Sequence, residues 1–146
     1  MEDQNRWMVS ALRLLQMVRM AMLASVILYV VVGELVAHPP GSPPDRMPFY
    51  ALTFIAVAMV ASITVLRKLI ITPAFAALQT RESDTEMLRR WRTGYIVSFA
   101  IADGIAAYGL ALRLFGFTLS QVVPFYLATV ILLLMLSPRR PSNELA

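Results

Sequence analysis

Residues 20–37, MAMLASVILYVVVGELVA, decide the fold class. They form an apolar stretch in which Glu34 is the one charged side chain. A bilayer core about 30 Å thick is crossed by roughly 20 apolar residues in an α-helix. None of the apolar stretches shows the two-residue alternation that barrel strands require. The sequence therefore predicts an all-α integral membrane protein of four helices, with spans at about residues 20–37, 49–66, 95–115 and 119–136.

Composition agrees with this class and excludes several others. Apolar residues make up 58% of the 146 residues and charged residues 15%, against about 45–50% and about 25% in an average soluble domain. The net charge of +4 does not indicate a nucleic-acid partner, because the basic residues flank apolar blocks and form no single polar surface. We expect one membrane domain over residues 1–146 whose partner is the lipid bilayer.

The distribution of Lys and Arg predicts the orientation. Cytoplasmic connections carry an excess of these residues. If the N-terminus is cytoplasmic, eleven of the 13 basic residues lie on that side and only Arg46 and Arg113 lie outside. We therefore expect a multi-pass protein of the cell membrane with both termini in the cytoplasm, an external Pro-rich loop at 38–48 and a cytoplasmic connection at 67–94. The cytoplasmic set is Arg6, Arg13, Arg19, Arg67, Lys68, Arg81, Arg89, Arg90, Arg92, Arg139 and Arg140.

Residues 1–19 also have a helical pattern. Arg6, Arg13 and Gln16 recur at helical spacing opposite Leu12 and Leu15. This pattern favours an interfacial amphipathic helix on the inner leaflet. The alternative is a first span that begins early and tilts.

The remaining connections contain helix boundary signals. Thr72-Pro73 predicts the end of any helix that continues past the second span, and Ser83 with Glu86 matches a capping box that opens the third. Between the third and fourth spans only a few residues around Gly116 are left, which predicts a tight antiparallel hairpin.

Asp103 is a charged residue within an apolar span and therefore needs an explanation. It lies about eight residues, or about 12 Å, from the cytoplasmic end of the third span. An aspartate at the bilayer centre is unfavourable by about 2.5–3.5 kcal/mol on insertion scales. Thr129 of the fourth span and Tyr29 or Ser25 of the first come to a similar depth, and these are the candidate hydrogen-bond partners. Either Asp103 binds a proton or cation in a pathway, or it is a neutral acid that fixes helix packing.

Small residues surround Asp103 in the third span. Ala100, Gly104, Ala107 and Gly109 leave little side-chain bulk there, and small residues let neighbouring helix backbones approach closely. We expect the third span to be the central helix of the bundle and these four residues to be its packing positions.

Residues 99–110, FAIADGIAAYGL, carry a resemblance to a known family. The acid follows an alanine, and small residues with an aromatic-Gly-Leu sequence follow the acid. This one helix resembles the carboxylate-bearing helix of the rotary ATPase proteolipid (c) subunits. The resemblance implies that Asp103 is an ion-binding carboxylate.

Other residue types indicate little further chemistry. The chain has no cysteine and one histidine, and His38 beside Glu34 lacks an evident third metal ligand. We expect no cofactor and no catalytic residue, since nucleotide-binding and hydrolase motifs are not found. Two functions follow as hypotheses. One is a non-enzymatic accessory or assembly subunit that packs through the third span against other membrane subunits or itself; the other is a proton- or cation-translocating subunit that uses Asp103.

Overall fold

The computed structural model describes residues 2–36, 44–80 and 85–137, and this part of the chain is helical with no strand. The all-α prediction is therefore confirmed. The elements in chain order are α1 (Glu2–Val36), α2 (Met47–Leu66), a π-helical turn (Arg67–Ile71), α3 (Thr72–Thr80), α4 (Thr85–Leu114) and α5 (Leu119–Met135).

Three helical stretches are long and apolar enough to cross a membrane. They are Val9–Val36, Met47–Ala74 and Glu86–Leu114. α5 is also apolar but has 17 residues, which at 1.5 Å per residue is about 26 Å. This length is at the lower end of the range for a spanning helix.

α4 is the central helix, as predicted, because α1, α2, α3 and α5 all pack against it. Its buried apolar side chains belong to two clusters that follow one another along the bundle. The first is built from Leu12, Leu15, Ile63, Ile71, Ala74, Trp91, Tyr95, Phe99, Ala102, Leu133 and Leu136. The second is built from Val26, Ala56, Ile105, Ala106, Leu112, Phe117, Val122, Phe125 and Tyr126.

α1 runs parallel to α4. Ser25 contacts Asp103, and nine residues further along α1 Glu34 contacts Arg113, ten residues further along α4. Because contacts advance in the same direction on both helices, the start of α1 and the start of α4 lie at the same end of the bundle.

α2 and α5 run antiparallel to α4. On α5, Thr129 bonds to Ala102 while the earlier residue Tyr126 lies beside the later residue Gly109. For α2, Met59 lies against Gly104 of α4, and the π turn, which follows α2 in the chain, contacts the earlier α4 residue Gly94. The start of α1 and the end of α5 therefore lie at one end of the bundle.

The structure does not show a separate interfacial helix at residues 1–19. α1 is one helix from Glu2 to Val36 with no break before the span. Ala11, Leu12 and Leu15 are buried, and the two leucines share a cluster with Trp91 of α4. This part of α1 therefore packs against α4, and it belongs to the apolar stretch Val9–Val36.

The predicted helix end at Thr72-Pro73 is wrong. Helix continues through the proline to Thr80, immediately after the π turn Arg67–Ile71. The Thr72 hydroxyl donates to the carbonyl oxygen of Arg67 at 2.9 Å. Local π geometry is a known way of accommodating a proline within a helix, and here the π turn lies directly before Thr72-Pro73.

The hairpin between α4 and α5 is as tight as predicted. Only residues 115–118 separate the two helices. Gly116 has φ of 90°, a backbone region that glycine occupies without steric penalty. The amide of Thr118 donates to Gln121 Oε1 at 2.9 Å and so opens α5.

Other predicted features lie outside the described residues. These are most of the 38–48 loop including His38, the capping residue Ser83, and the basic pair Arg139 and Arg140. Glu86, the second residue of the predicted capping box, accepts a bond from Arg90 Nε at 3.1 Å within α4.

Candidate functional site at Asp103

α4 places Asp103 on the face that packs against α1. The residue is half-buried and lies near the middle of the spanning stretch Glu86–Leu114. Its position along the bundle falls between the two buried clusters, after Ala102 of the first and before Ile105 of the second. The carboxyl group therefore sits at mid-depth, at a helix–helix contact.

Two hydroxyl groups of α1 contact the two carboxyl oxygens. Ser25 Oγ lies 2.5 Å from Asp103 Oδ1, and the Tyr29 hydroxyl donates to Oδ2 at 3.0 Å. Ser25 and Tyr29 are four positions apart, so one helical face carries both. Two of the candidate partners expected from depth alone thus meet Asp103.

Ser25 makes a second short contact, which constrains the protons. Its Oγ donates to the carbonyl oxygen of Met22 at 2.7 Å, while the same atom lies against Asp103. A serine hydroxyl has one hydrogen, and a carbonyl oxygen has none to give. The one hydrogen of Ser25 is therefore directed at one of these two oxygens or shared between them.

Thr129 does not contact Asp103, although it lies at a similar depth. It is fully buried, and its hydroxyl lies 3.0 Å from the carbonyl oxygen of Ala102 and 3.1 Å from that of Phe125. Thr129 therefore links α5 to the backbone of α4.

The four predicted packing residues have different surroundings. Ala107 is half-buried and Ala100 is exposed. A Cβ atom on Gly104 would lie 2.9 Å from Met59 Cε, and one on Gly109 would lie 3.0 Å from the Tyr126 ring. The two glycines therefore admit α2 and α5 respectively, while Ala100 faces away from the chain's own helices.

An ion pair between α1 and α4, near the C-terminal ends of both helices, was not predicted from the sequence. Arg113 Nε donates to Glu34 Oε1 at 2.8 Å, and Arg113 Nη2 donates to Oε2 at 3.2 Å. Arg113 Nη1 also donates to the carbonyl oxygen of Phe117 at 2.9 Å. In the sequence, Glu34 and Arg113 each lie about one turn from the predicted external end of a span. Pairing them also requires knowing how α1 is aligned along α4.

The described residues contain no group of three or more His, Asp or Glu side chains able to hold a metal ion. Asp103 is one carboxylate with two hydroxyl neighbours. Chemically this arrangement can hold a proton or share hydrogen bonds between helices.

No family model, curated protein or solved structure matches this chain.

Proposed function

We propose that the chain is a four-span protein of the cell membrane with both termini in the cytoplasm. The antiparallel arrangement of α5 and α4 supports a fourth crossing, because it returns the chain to the end where α1 starts. That end carries the exposed basic residues Arg13, Arg67, Lys68, Arg89, Arg90 and Arg92. The positive-inside rule assigns such an end to the cytoplasm.

Within that membrane the proposed role is a non-enzymatic accessory or assembly subunit. The observation that carries it is the bonding of Asp103 to Ser25 and Tyr29, which uses the intramembrane acid to hold α1 against α4. A neutral carboxylic acid fits this role best. Its Oδ1 accepts from the Ser25 hydroxyl and its Oδ2 accepts from the Tyr29 hydroxyl.

Ala100 is the proposed contact point for another subunit or a second copy. It is exposed on α4 at mid-span, and a small residue there permits close helix approach. Because the chain has no cysteine, Ala100→Cys supplies a single thiol. A disulfide-linked dimer in oxidised membranes would support self-association, and Ala100→Phe should then remove the dimer. If neither variant changes the native mass of the solubilised protein, packing through this surface is refuted.

The second candidate function is a proton- or cation-translocating subunit. A half-buried carboxyl group with two hydroxyl neighbours at mid-depth favours it, as does the resemblance of residues 99–110 to a proteolipid helix. In this case Asp103 would exchange its proton or bind a cation, and the hydroxyls of Ser25 and Tyr29 would be its ligands.

Ion flux separates the two candidates. The purified chain is reconstituted in proteoliposomes with an internal pH-sensitive dye, and a potassium diffusion potential is imposed. The accessory role predicts proton and sodium flux equal to that of empty liposomes. Flux above that background that Asp103→Asn abolishes, and that Asp45→Asn (an exposed acid outside the spans) leaves intact, would establish translocation instead.

A further inference from the structure

A groove of about 320 Å³ lies between α4 and the junction of α2 with the π turn. It is at the end of the bundle where α1 and α4 start. Its volume falls within the range of small-molecule sites. The lining residues are Leu66, Ile70, Glu86, Arg89, Arg90, Thr93, Gly94 and Val97.

The outer rim of the groove is positively charged. Arg90 Nε lies 3.1 Å from Glu86 Oε1, and Arg89 Nη2 lies 3.9 Å from Glu86 Oε2. One carboxylate is thus shared by two guanidinium groups, which leaves one net positive charge. Each guanidinium has five N–H donors, so several remain for a ligand with acceptor oxygens.

The inner wall of the groove is apolar. Leu66 and Ile70 line it from one side and Val97 from the other. Gly94 sets its width, because a Cβ atom there would lie 2.9 Å from Ile71 Cγ1 and 3.5 Å from Ile70 Cγ2. The π turn therefore approaches α4 at Gly94, and the groove opens beside that contact.

The surrounding surface adds attraction for an anion. Arg67, Lys68 and Arg92 are exposed at the same end of the bundle. Basic residues near the cytoplasmic membrane surface attract anionic lipids, and salt screens this attraction where the residue does not contact the lipid. A ligand with a phosphate at one end and hydrocarbon at the other matches both walls of the groove.

We propose that this groove binds the headgroup of an anionic phospholipid. Arg89 and Arg90 contact the phosphate oxygens, Thr93 offers a hydroxyl to the same region, and the first part of an acyl chain lies along Leu66, Ile70 and Val97. The proposal rests on the placement of this end at the membrane surface, but the binding itself can be measured in detergent, where orientation plays no part.

Binding is tested with the purified full-length chain in neutral detergent by native mass spectrometry. Dioleoyl phosphatidylglycerol and dioleoyl phosphatidylcholine are titrated separately, with inorganic phosphate and glycerol 3-phosphate as competitors. We expect phosphatidylglycerol to bind at least tenfold more tightly than phosphatidylcholine. Neither water-soluble phosphate should displace it at equal concentration, because they lack the hydrocarbon that the inner wall contacts.

Two variants locate the site. R89Q/R90Q should weaken phosphatidylglycerol binding about 30-fold, since two residues at roughly 1 kcal/mol each correspond to that ratio. The matched control R67Q/K68Q removes the same charge at the same end but outside the groove, and should stay within about threefold of the native chain. T93W changes no charge and fills the groove, and should also weaken binding.

The proposal is overturned if R89Q/R90Q and R67Q/K68Q weaken binding equally, because the attraction would then be a property of the whole surface. It is also overturned if T93W, with unchanged helical circular dichroism, binds phosphatidylglycerol like the native chain. Free phosphate that displaces the lipid would assign the site to a soluble anion. Flux measurements on Asp103 bear on none of these outcomes, so the lipid site and the accessory role succeed or fail independently.

Discussion

Arg113 and Glu34 join α4 to α1 through two N–H···O contacts between residues 79 positions apart in the chain. The Arg113 side chain is 18% exposed and that of Glu34 is 43% exposed, so the pair lies at the edge of the helix interface. Gly33 permits this geometry, because a Cβ atom there would come within 3.2 Å of Arg113 Cγ. Together with the Asp103 contacts, the pair fixes α1 along α4 at two levels.

The ion pair should show measurable coupling. Arg113→Gln, Glu34→Gln and the double variant form a cycle, and we expect a coupling free energy of about 1 kcal/mol, near the upper end for exposed pairs because the arginine is mostly buried. Thermal unfolding in detergent at low and high salt measures it. Additive effects of the two single changes would show that the pair does not hold the helices together.

Asp103 should tolerate asparagine better than leucine. The asparagine amide can donate to Ser25 and its oxygen can accept from Tyr29, as a neutral acid does. Leucine removes the bond of Tyr29 to Asp103 and leaves Ser25 with only its bond to Met22. Interhelical hydrogen bonds in membranes average about 0.6 kcal/mol and reach about 1.7. We expect Asp103→Leu to lower the free energy of unfolding by about 1–2 kcal/mol and Asp103→Asn by less than half of that. Equal losses would contradict the neutral acid.

Two tyrosines offer a matched pair of substitutions. Tyr29→Phe removes a hydrogen bond to Asp103 and should lower the melting temperature. Tyr126→Phe should leave it unchanged or raise it, because the buried Tyr126 hydroxyl has no hydrogen-bond partner in the described part of the chain and an unbonded buried hydroxyl is unfavourable. Equal melting temperatures for the two variants would mean that the Tyr29 bond contributes nothing to stability.

The proposed orientation predicts which end a membrane-impermeant thiol reagent reaches. Phe115→Cys lies in the turn between α4 and α5, and Ser137→Cys lies just past the end of α5. Since the native chain lacks cysteine, each variant has one thiol. On intact cells the first should be labelled and the second only after the membrane is opened. Labelling of Ser137→Cys from outside would reverse the orientation.

Depth along a helix could be predicted from the sequence, but direction around its axis could not. Ser25, Tyr29 and Thr129 were all placed near the level of Asp103 by counting residues from span ends. Two of them face it and the third bonds to Ala102, because a side chain's direction depends on how each helix is rotated in the bundle. For the same reason, the contact of Arg113 with Glu34 could not be predicted from the sequence.

Local sequence patterns take no account of contacts with distant parts of the chain, and two features of the structure depend on such contacts or on unusual local geometry. Pro73 is predicted to end a helix because it lacks an N–H donor, yet a π turn precedes it and helix continues to Thr80. Leu12 and Leu15 predict a membrane-surface helix if no protein covers them, yet they lie in a cluster with Trp91 of α4.

The sequence by itself determined that this chain is helical and membrane-like, with apolar stretches near residues 20–37, 49–66, 95–115 and 119–136, of which the third is rich in small residues and central. These features follow from local composition, since a run of apolar residues has to satisfy its backbone hydrogen bonds internally in lipid. The tertiary structure decided which polar groups meet: Asp103 with Ser25 and Tyr29, and Arg113 with Glu34. Those contacts depend on the parallel register of α1 on α4, which is set by side chains far apart in the chain.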